Sequence, residues 1–304
     1  MTPSSTRWTP STVPDQSGRT VVITGANSGI GLEAAKVLSR NGARVVMACR
    51  NLDRAQAAQR EVGGASEVAQ LDLADLASVH AFADSLDGGN GSVDVLIDNA
   101  GVMAPPLSRT VDGFESQLGT NVIGHAALTA LLLPRVTDRV VWLSSQAHRM
   151  GSIDLADLNW EHRAYRRWPA YGQSKLADLM LAYELQRRLT LAGSSLRSVA
   201  AHPGYSSTNL QNNMGGSFVK PLQDLVAKAG IFIQTAEAGA WPTLMAATDP
   251  DLPGGSYVGP SGPLEMTGAP HTVGSSSASR DAAVQKALFD QVEERAGVSF
   301  GLTG

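Results

Sequence analysis

A single cysteine, Cys49, stands in 304 residues. That excludes a disulfide framework and any zinc site built on cysteine pairs. No excess of positive charge is present either: 24 Lys and Arg face 28 Asp and Glu, for a net charge of −4. A chain that wraps nucleic acid or coats a membrane surface would need the opposite balance. Long hydrophobic runs are missing as well. Residues 126–134 form the longest candidate, well short of the ~18 needed to span a bilayer. Residues 1–18 are rich in Thr, Ser and Pro and carry no apolar core of a secretory signal. The expectation is a soluble cytoplasmic enzyme or binding protein. No composition break and no internal repeat divides the chain.

What is present is ample apolar material, 43% of residues, enough for a large core and against disorder. Length alone would allow two domains at ~150 residues each. The pattern argues for one. Short β-branched runs at residues 19–24, 44–48, 68–71, 93–97, 139–144 and 196–201 alternate with helical patterns at 30–41, 52–62, 75–86 and 113–133. A weak further strand falls at 257–258 and a last amphipathic helix at 281–295. Strands separated by helices form βαβ units, and right-handed crossovers make these a doubly wound sheet. The expected fold is therefore α/β: a Rossmann-type parallel sheet of about seven strands in a three-layer αβα arrangement. It would occupy residues 18–304 as a single dinucleotide-binding catalytic domain. A polar leader, 1–17, precedes it, and an apolar lid spans about 205–235.

The first strand runs into Thr24-Gly25-Ala26-Asn27-Ser28-Gly29-Ile30-Gly31 and then a helix. Glycines there permit a tight turn and let the backbone approach a pyrophosphate at the helix N-terminus, where free N–H groups and the dipole favour an anion. A purely structural strand-to-helix turn is the alternative. The position between first strand and first helix favours the phosphate site, with Gly25, Asn27, Ser28, Gly29, Ile30 and Gly31 as its contacts. An NAD enzyme places a carboxylate at the end of the second strand to bind the adenosine ribose. Here that strand ends Ala48-Cys49-Arg50. A guanidinium pairs with a 2′-phosphate, which a carboxylate would repel. The coenzyme expected is NADP(H).

Tyr171 and Lys175 lie four apart in a helical stretch, so they face the same way. A phenol ionises near pH ~10, and a neighbouring cation favours the phenolate, which brings acid–base chemistry toward neutral pH. Five tyrosines and five lysines in this length would give such a pair by chance about 0.08 times. Strand five ends in Ser144-Ser145, and either hydroxyl would lie at the carboxyl edge of the sheet, where ligands bind. His125, His148 and His202 have no carboxylate or cysteine beside them at ligand spacing, and no metal is expected.

These motifs in order, Thr24–Gly31, Asp72, Asn99-Ala100-Gly101, Asn121, Ser145, Tyr171-x-x-x-Lys175 and Pro203-Gly204, resemble the short-chain dehydrogenase/reductase superfamily over about residues 18–262. The long segment between Ser145 and Tyr171, residues 148–169, makes the retinol-dehydrogenase-like branch the best likeness and reads as a surface excursion. The resemblance implies a catalytic set of Asn121, Ser145, Tyr171 and Lys175, with Ser144 the alternative serine. In such enzymes the Asn holds a relay water and the Lys also binds the nicotinamide ribose. Coenzyme contacts are implied for Asp72 and Leu73 at the adenine, and for Asn99, Ala100 and Gly101 beneath it. Pro203, Gly204 and Thr208 would cover the nicotinamide. Where many members have two Asn before Ala-Gly, this chain has Asp98-Asn99.

The expected activity is hydride transfer between NADP(H) and a hydrophobic alcohol, aldehyde or ketone, with Tyr171 as general acid/base. The apolar residues of the lid, with Val102, Met103 and Tyr205, point to that substrate class. A catalytically inactive NADP(H)-binding sensor of the same fold is the alternative reading. Relatives often form homodimers or homotetramers through the helices around the tyrosine, and no residue here chooses among these and a monomer.

Overall fold

In a computed structural model of the protein, residues 8–86, 91–205 and 234–302 are described. Val21, Val22 and Ile23 follow one another in the first apolar run, and all are fully buried, as suits a strand covered on both faces. They form β1 (Thr20–Thr24), followed by α1 (Gly29–Arg40), β2 (Arg44–Cys49), α2 (Leu52–Val62), β3 (Ser66–Gln70), α3 (Leu76–Ser85) and β4 (Val93–Asp98). Beyond them come α4 (Gly124–Leu132), β5 (Val136–Leu143), α5 (Arg167–Leu191), β6 (Arg197–Ala201), α6 (Ala236–Thr248), β7 (Tyr257–Pro260), β8 (Pro270–Thr272) and α7 (Ala282–Ala296).

The strands form one sheet in the order β3-β2-β1-β4-β5-β6-β7-β8. All neighbours are parallel except β7 and β8. The chain leaves β1 outward to β3, then returns to β4 on the other side of β1. That reversal is a topological switch point, and ligands bind outside the carboxyl ends of strands there. Alternate side chains divide the core. Val22, Val46, Leu96, Val140 and Trp142 pack on the side of α4, α5 and α7. Val21, Ile23, Val45, Met47, Ile97 and Val141 pack on the side of α1 and α6.

The sheet has eight strands where about seven are expected. The extra one, β8, is a three-residue edge strand that closes an antiparallel hairpin on β7. Two further expectations change. The helix expected over 113–133 is interrupted: residues Leu118–Ile123 form a π-helical stretch before α4 begins, and Asn121 sits inside it. Residues 148–169, expected as a surface excursion, fold partly into the body. Leu158 and Trp160 are buried, Tyr165 Oη donates to Glu115 Oε1 at 3.0 Å, and the Arg163 guanidinium lies 3.7 Å from the Trp160 ring centre. Trp160 and Tyr165 anchor this packing, whereas Trp168 stays exposed. Among the described residues no helix is long and apolar enough to cross a membrane. Thr208 and the central part of the expected lid, residues 206–233, lie outside the described residues.

Candidate active site

β1 delivers the chain to the glycine turn, and the turn is built from contacts with β2 and β4. Gly25 N donates to Ala48 O at 2.8 Å. Thr24 Oγ1 accepts from the N–H groups of Asn99 and Ala100, both at 2.9 Å, and Asn99 Nδ2 donates to Thr24 O at 2.7 Å. Gly25 and Gly29 take positive φ of 67° and 58°. Gly31 is needed for space: a Cβ there would stand 2.4 Å from Asn99 Nδ2 and 2.8 Å from Gly25 O. Ser28, at the N-cap of α1, makes no side-chain capping bond, so the first N–H groups of the helix remain for an anion.

A cleft of about 360 Å³ opens over this turn. Its walls carry Gly25, Asn27, Ser28, Gly29, Ile30 and Gly31 at one end, and Arg50, Asp72 and Leu73 along the side. Asn99, Ala100 and Gly101 lie beneath, and Ser144, Tyr171, Lys175 and Pro203 close the other end. The structure thus brings one dinucleotide-sized wall together from these seven separate parts of the chain. The uncapped N–H groups at the start of α1, next to a strand-end guanidinium, fit the expected coenzyme. Arg50 is exposed at the cleft edge, while Cys49 is buried against the turn. Burial pushes the Cys49 thiol up to about 11, against the opposing pull of the Ala26 and Asn27 N–H groups. Asp72 borders the cleft, and its Oδ1 accepts from Ala74 N at 3.0 Å.

α5 carries Tyr171 and Lys175. Beyond its exposed first turn, every residue from 170 to 182 is buried, which fixes both side chains. The turn Gln146–Met150 after β5 is locked onto α5 by glycines: a Cβ on Gly151 would meet Gly172 O at 2.2 Å, and one on Gly172 would meet Ala147 O at 3.0 Å. That close approach brings the Ser144-Ser145 end of β5 to Tyr171. The two serines are not equivalent. Ser144 Oγ donates to Lys175 O at 2.7 Å, so its proton is spent on the helix backbone. Ser145 Oγ accepts from Ala147 N at 3.2 Å and donates to nothing among the described residues. Lys175 Nζ donates to Leu143 O and to Asp178 Oδ2, each at 2.8 Å. Burial works against its charge, but Asp178, Tyr171 and Asp98 outweigh that and hold its pKa above the usual value.

Asn121 is fully buried. Its Oδ1 accepts from Val102 N at 2.8 Å, and its Nδ2 donates to Val102 O and to Ser174 Oγ, both at 3.0 Å. The side chain clamps the loop after β4 to α5 and does not itself line the cleft. Pro203-Gly204 follows β6, with Gly204 at φ 69° and its N–H donating to His202 Nδ1 at 3.2 Å.

The three singled-out histidines are structural. His148 Nδ1 pairs with Ser145 O at 2.7 Å, and His202 Nε2 with Glu265 Oε2 at 3.1 Å. His125 lies between Thr24 Oγ1 and Asn121 O, 2.9 Å from each, so it joins the glycine turn to the π stretch. Among the described residues no group of three His, Cys, Asp or Glu could hold a metal. Burial drives the His125 pKa down to about 3, against 6.5 in an unfolded chain. The native ring is neutral, and its stabilising contribution is complete above pH 6.5 and lost as pH falls toward 3. Urea denaturation should therefore show stability declining by about 1 kcal/mol per pH unit below pH 6 on this account. A His125→Gln variant should show a shallower decline. An unchanged slope would contradict a neutral buried ring.

With this geometry stated, comparison with known proteins decides the family. The model of the short chain dehydrogenase family matches residues 19–217. The chain belongs to the short-chain dehydrogenase/reductase superfamily. Within it, the chain is similar to human retinol dehydrogenase 13, 43% identical over 207 residues that cover 65% of this chain and 62% of that protein. It is also 40% identical to human retinol dehydrogenase 14 over 267 residues, 80% of this chain and 78% of the relative. The chain thus spans just over three fifths of the first relative and more of the second, and it sits in the retinol-dehydrogenase-like branch. A solved structure of an uncharacterised protein from Mycobacterium Paratuberculosis superposes with a TM-score of 0.84 at 49% identity, covering 98% of this chain and 100% of that one. Short-chain dehydrogenases are oxidoreductases that use a nicotinamide coenzyme, which agrees with the cleft. Two buried carboxylates of this short-chain dehydrogenase, Asp98 and Asp178, have no place in the site as read from the sequence. Asp178 carries a signal there: an acid three residues after the lysine, one turn along the same helix face.

Proposed function

We propose that the protein is an NADP(H)-dependent oxidoreductase that moves a hydride between nicotinamide and a hydrophobic aldehyde, ketone or alcohol, with Tyr171 as general acid and base. One observation supports this most: Tyr171 and Lys175, one turn apart on α5, border the same cleft as the glycine turn and Arg50. When bound, the coenzyme donates or accepts the hydride at its nicotinamide ring. The residues of the chain do the rest. The N–H groups at the start of α1 bind the pyrophosphate, in a turn that Gly25 and Gly29 shape by their positive φ and Gly31 by its close approach to Asn99. Tyr171 Oη gives a proton to the carbonyl oxygen in reduction and takes the hydroxyl proton in oxidation. Lys175 Nζ, held by Leu143 O and Asp178 Oδ2, places a cation one helical turn from Tyr171. Ser145 Oγ, whose proton is not spent on the backbone, donates to the same substrate oxygen. Val102 and Met103 on the cleft wall favour an apolar substrate, and the relatives are named for retinol, a long apolar alcohol.

Coenzyme choice rests on Arg50. A guanidinium–phosphate pair is worth roughly 1.5–3 kcal/mol, so Arg50→Ala should lower the preference for NADPH over NADH by about 10- to 100-fold. KM and kcat for both coenzymes in wild type and variant measure it. A preference left intact in the variant would remove Arg50 from the 2′-phosphate site.

A further inference from the structure

Two carboxylates lie buried beside Lys175, each about 2% exposed. Asp178 follows Lys175 on α5, and Asp98 is the last residue of β4. Asp178 Oδ2 accepts from Lys175 Nζ at 2.8 Å, and Asp98 Oδ2 accepts from Thr129 Oγ1 at 2.8 Å. The other oxygen of each, Oδ1 in both, is buried and has no hydrogen-bond partner among the described residues. Two orphaned carboxylate oxygens in one buried cluster are costly, because each forfeits hydration without a donor in exchange. The charges do not close either. Two carboxylates against one ammonium leave a net negative charge away from water, and His125 on α4, neutral between its two partners, supplies no cation.

We propose that Asp98 and Asp178 hold one proton between them, carried on Asp98, and that this acid pair positions Lys175 toward Tyr171. A proton on Asp98 removes the second negative charge from the buried cluster, and it leaves Asp178 as the single counter-ion of the lysine. The assignment follows the partners: Asp178 sits on an ammonium, whereas the one partner of Asp98 is a neutral hydroxyl. Burial, then the negative Asp178, drives the Asp98 carboxyl well above its ordinary range. Burial lifts Asp178 to about 6, against the opposing pull of Lys175. The groups facing Lys175 are then Tyr171 and Asp178 on α5, Asp98 on β4 and the neutral His125 on α4. With two of its N–H groups held by Leu143 O and Asp178 Oδ2, the ammonium has one left to direct into the cleft.

The shared proton is testable without any activity, and only the positioning role rests on the proposed function. Difference infrared spectra of the full-length protein at pH 8 should show the C=O stretch of a protonated buried carboxyl, shifted in D₂O and absent from Asp98→Asn. No such band, or one that survives Asp98→Asn, overturns the shared proton. Asp98→Asn keeps the shape, carries no charge and can still accept from Thr129 Oγ1, so its Tm at pH 8 should equal or exceed that of wild type. A fall of several degrees would show that an ionised Asp98 is required, and would overturn the assignment. For the positioning role, Asp178→Asn removes the anion that partly cancels the lysine charge at Tyr171. The kcat/KM profile for alcohol oxidation should then move to lower pH by about one unit. A uniform loss at every pH, with the profile unmoved, means a structural role only and overturns the positioning. A wild type with no oxidoreductase activity would count against the proposed function and leave the infrared result standing on its own.

Discussion

Tyr171→Phe should lower kcat for carbonyl reduction by about 10²- to 10⁴-fold, the usual contribution of a positioned acid–base group, while NADPH binds with unchanged affinity. The substitution removes one hydroxyl and keeps the ring, which packs edge-to-face on Trp168 with centres 6.2 Å apart. The fold and the coenzyme wall have no reason to change. Loss of rate with retained binding separates an enzyme from a coenzyme-binding sensor, since a sensor has no turnover to lose. A variant that reduces aldehydes at the wild-type rate would move the proton transfer to another group.

The second large effect belongs to the glycine turn. Gly31→Ala should weaken NADPH binding by at least about 100-fold and cost roughly 1–3 kcal/mol of stability, as overpacking of a filled interior does. The added carbon would lie 2.4 Å from Asn99 Nδ2, and moving that amide breaks its bond to Thr24 O. The strands β1 and β4 would then part at the end that shapes the cleft. A contrasting glycine is Gly297, just past α7, with φ 64° and nothing within 4 Å of its missing Cβ. Gly297→Ala carries only backbone strain, about 1–2 kcal/mol, and should leave coenzyme affinity unchanged. Isothermal titration with NADPH and urea denaturation of both variants separate the two cases. Equal coenzyme affinity in Gly31→Ala and wild type would contradict the close approach as the reason for glycine there.

The parts of this protein that were legible in the sequence are those written in local pattern. β1 reads as five successive β-branched residues, the phosphate turn as glycines at the junction of strand and helix, and Tyr171 and Lys175 as a pair one helical turn apart. Each depends on neighbours within about ten residues. What was not legible depends on distant partners. β8 has only three residues and no apolar run, and it exists because β7 offers an edge. Residues 148–169 look exposed by composition, yet Tyr165 meets Glu115 some fifty positions away and Trp160 is buried beneath Arg163. The choice between Ser144 and Ser145 turns on which hydroxyl spends its proton on Lys175 O, a fact of packing. The side chain of Asn121 proves to be a clamp on Val102 and Ser174 for the same reason. Asp98 was visible as a departure from the double Asn, but its buried companionship with Asp178 and Lys175 needed the fold that joins β4 to α5.

The central claim is hydride transfer to an apolar carbonyl, and isotope transfer tests it most directly. The protein is incubated with NADPH deuterated at C4 of the nicotinamide and an apolar aldehyde such as retinal, and the alcohol is examined by mass spectrometry. One deuterium on the carbinol carbon is expected from one of the two C4-labelled epimers, formed at least about 100-fold more slowly by Tyr171→Phe. Coenzyme binding without deuterium transfer to any member of a panel of apolar aldehydes and ketones would contradict it.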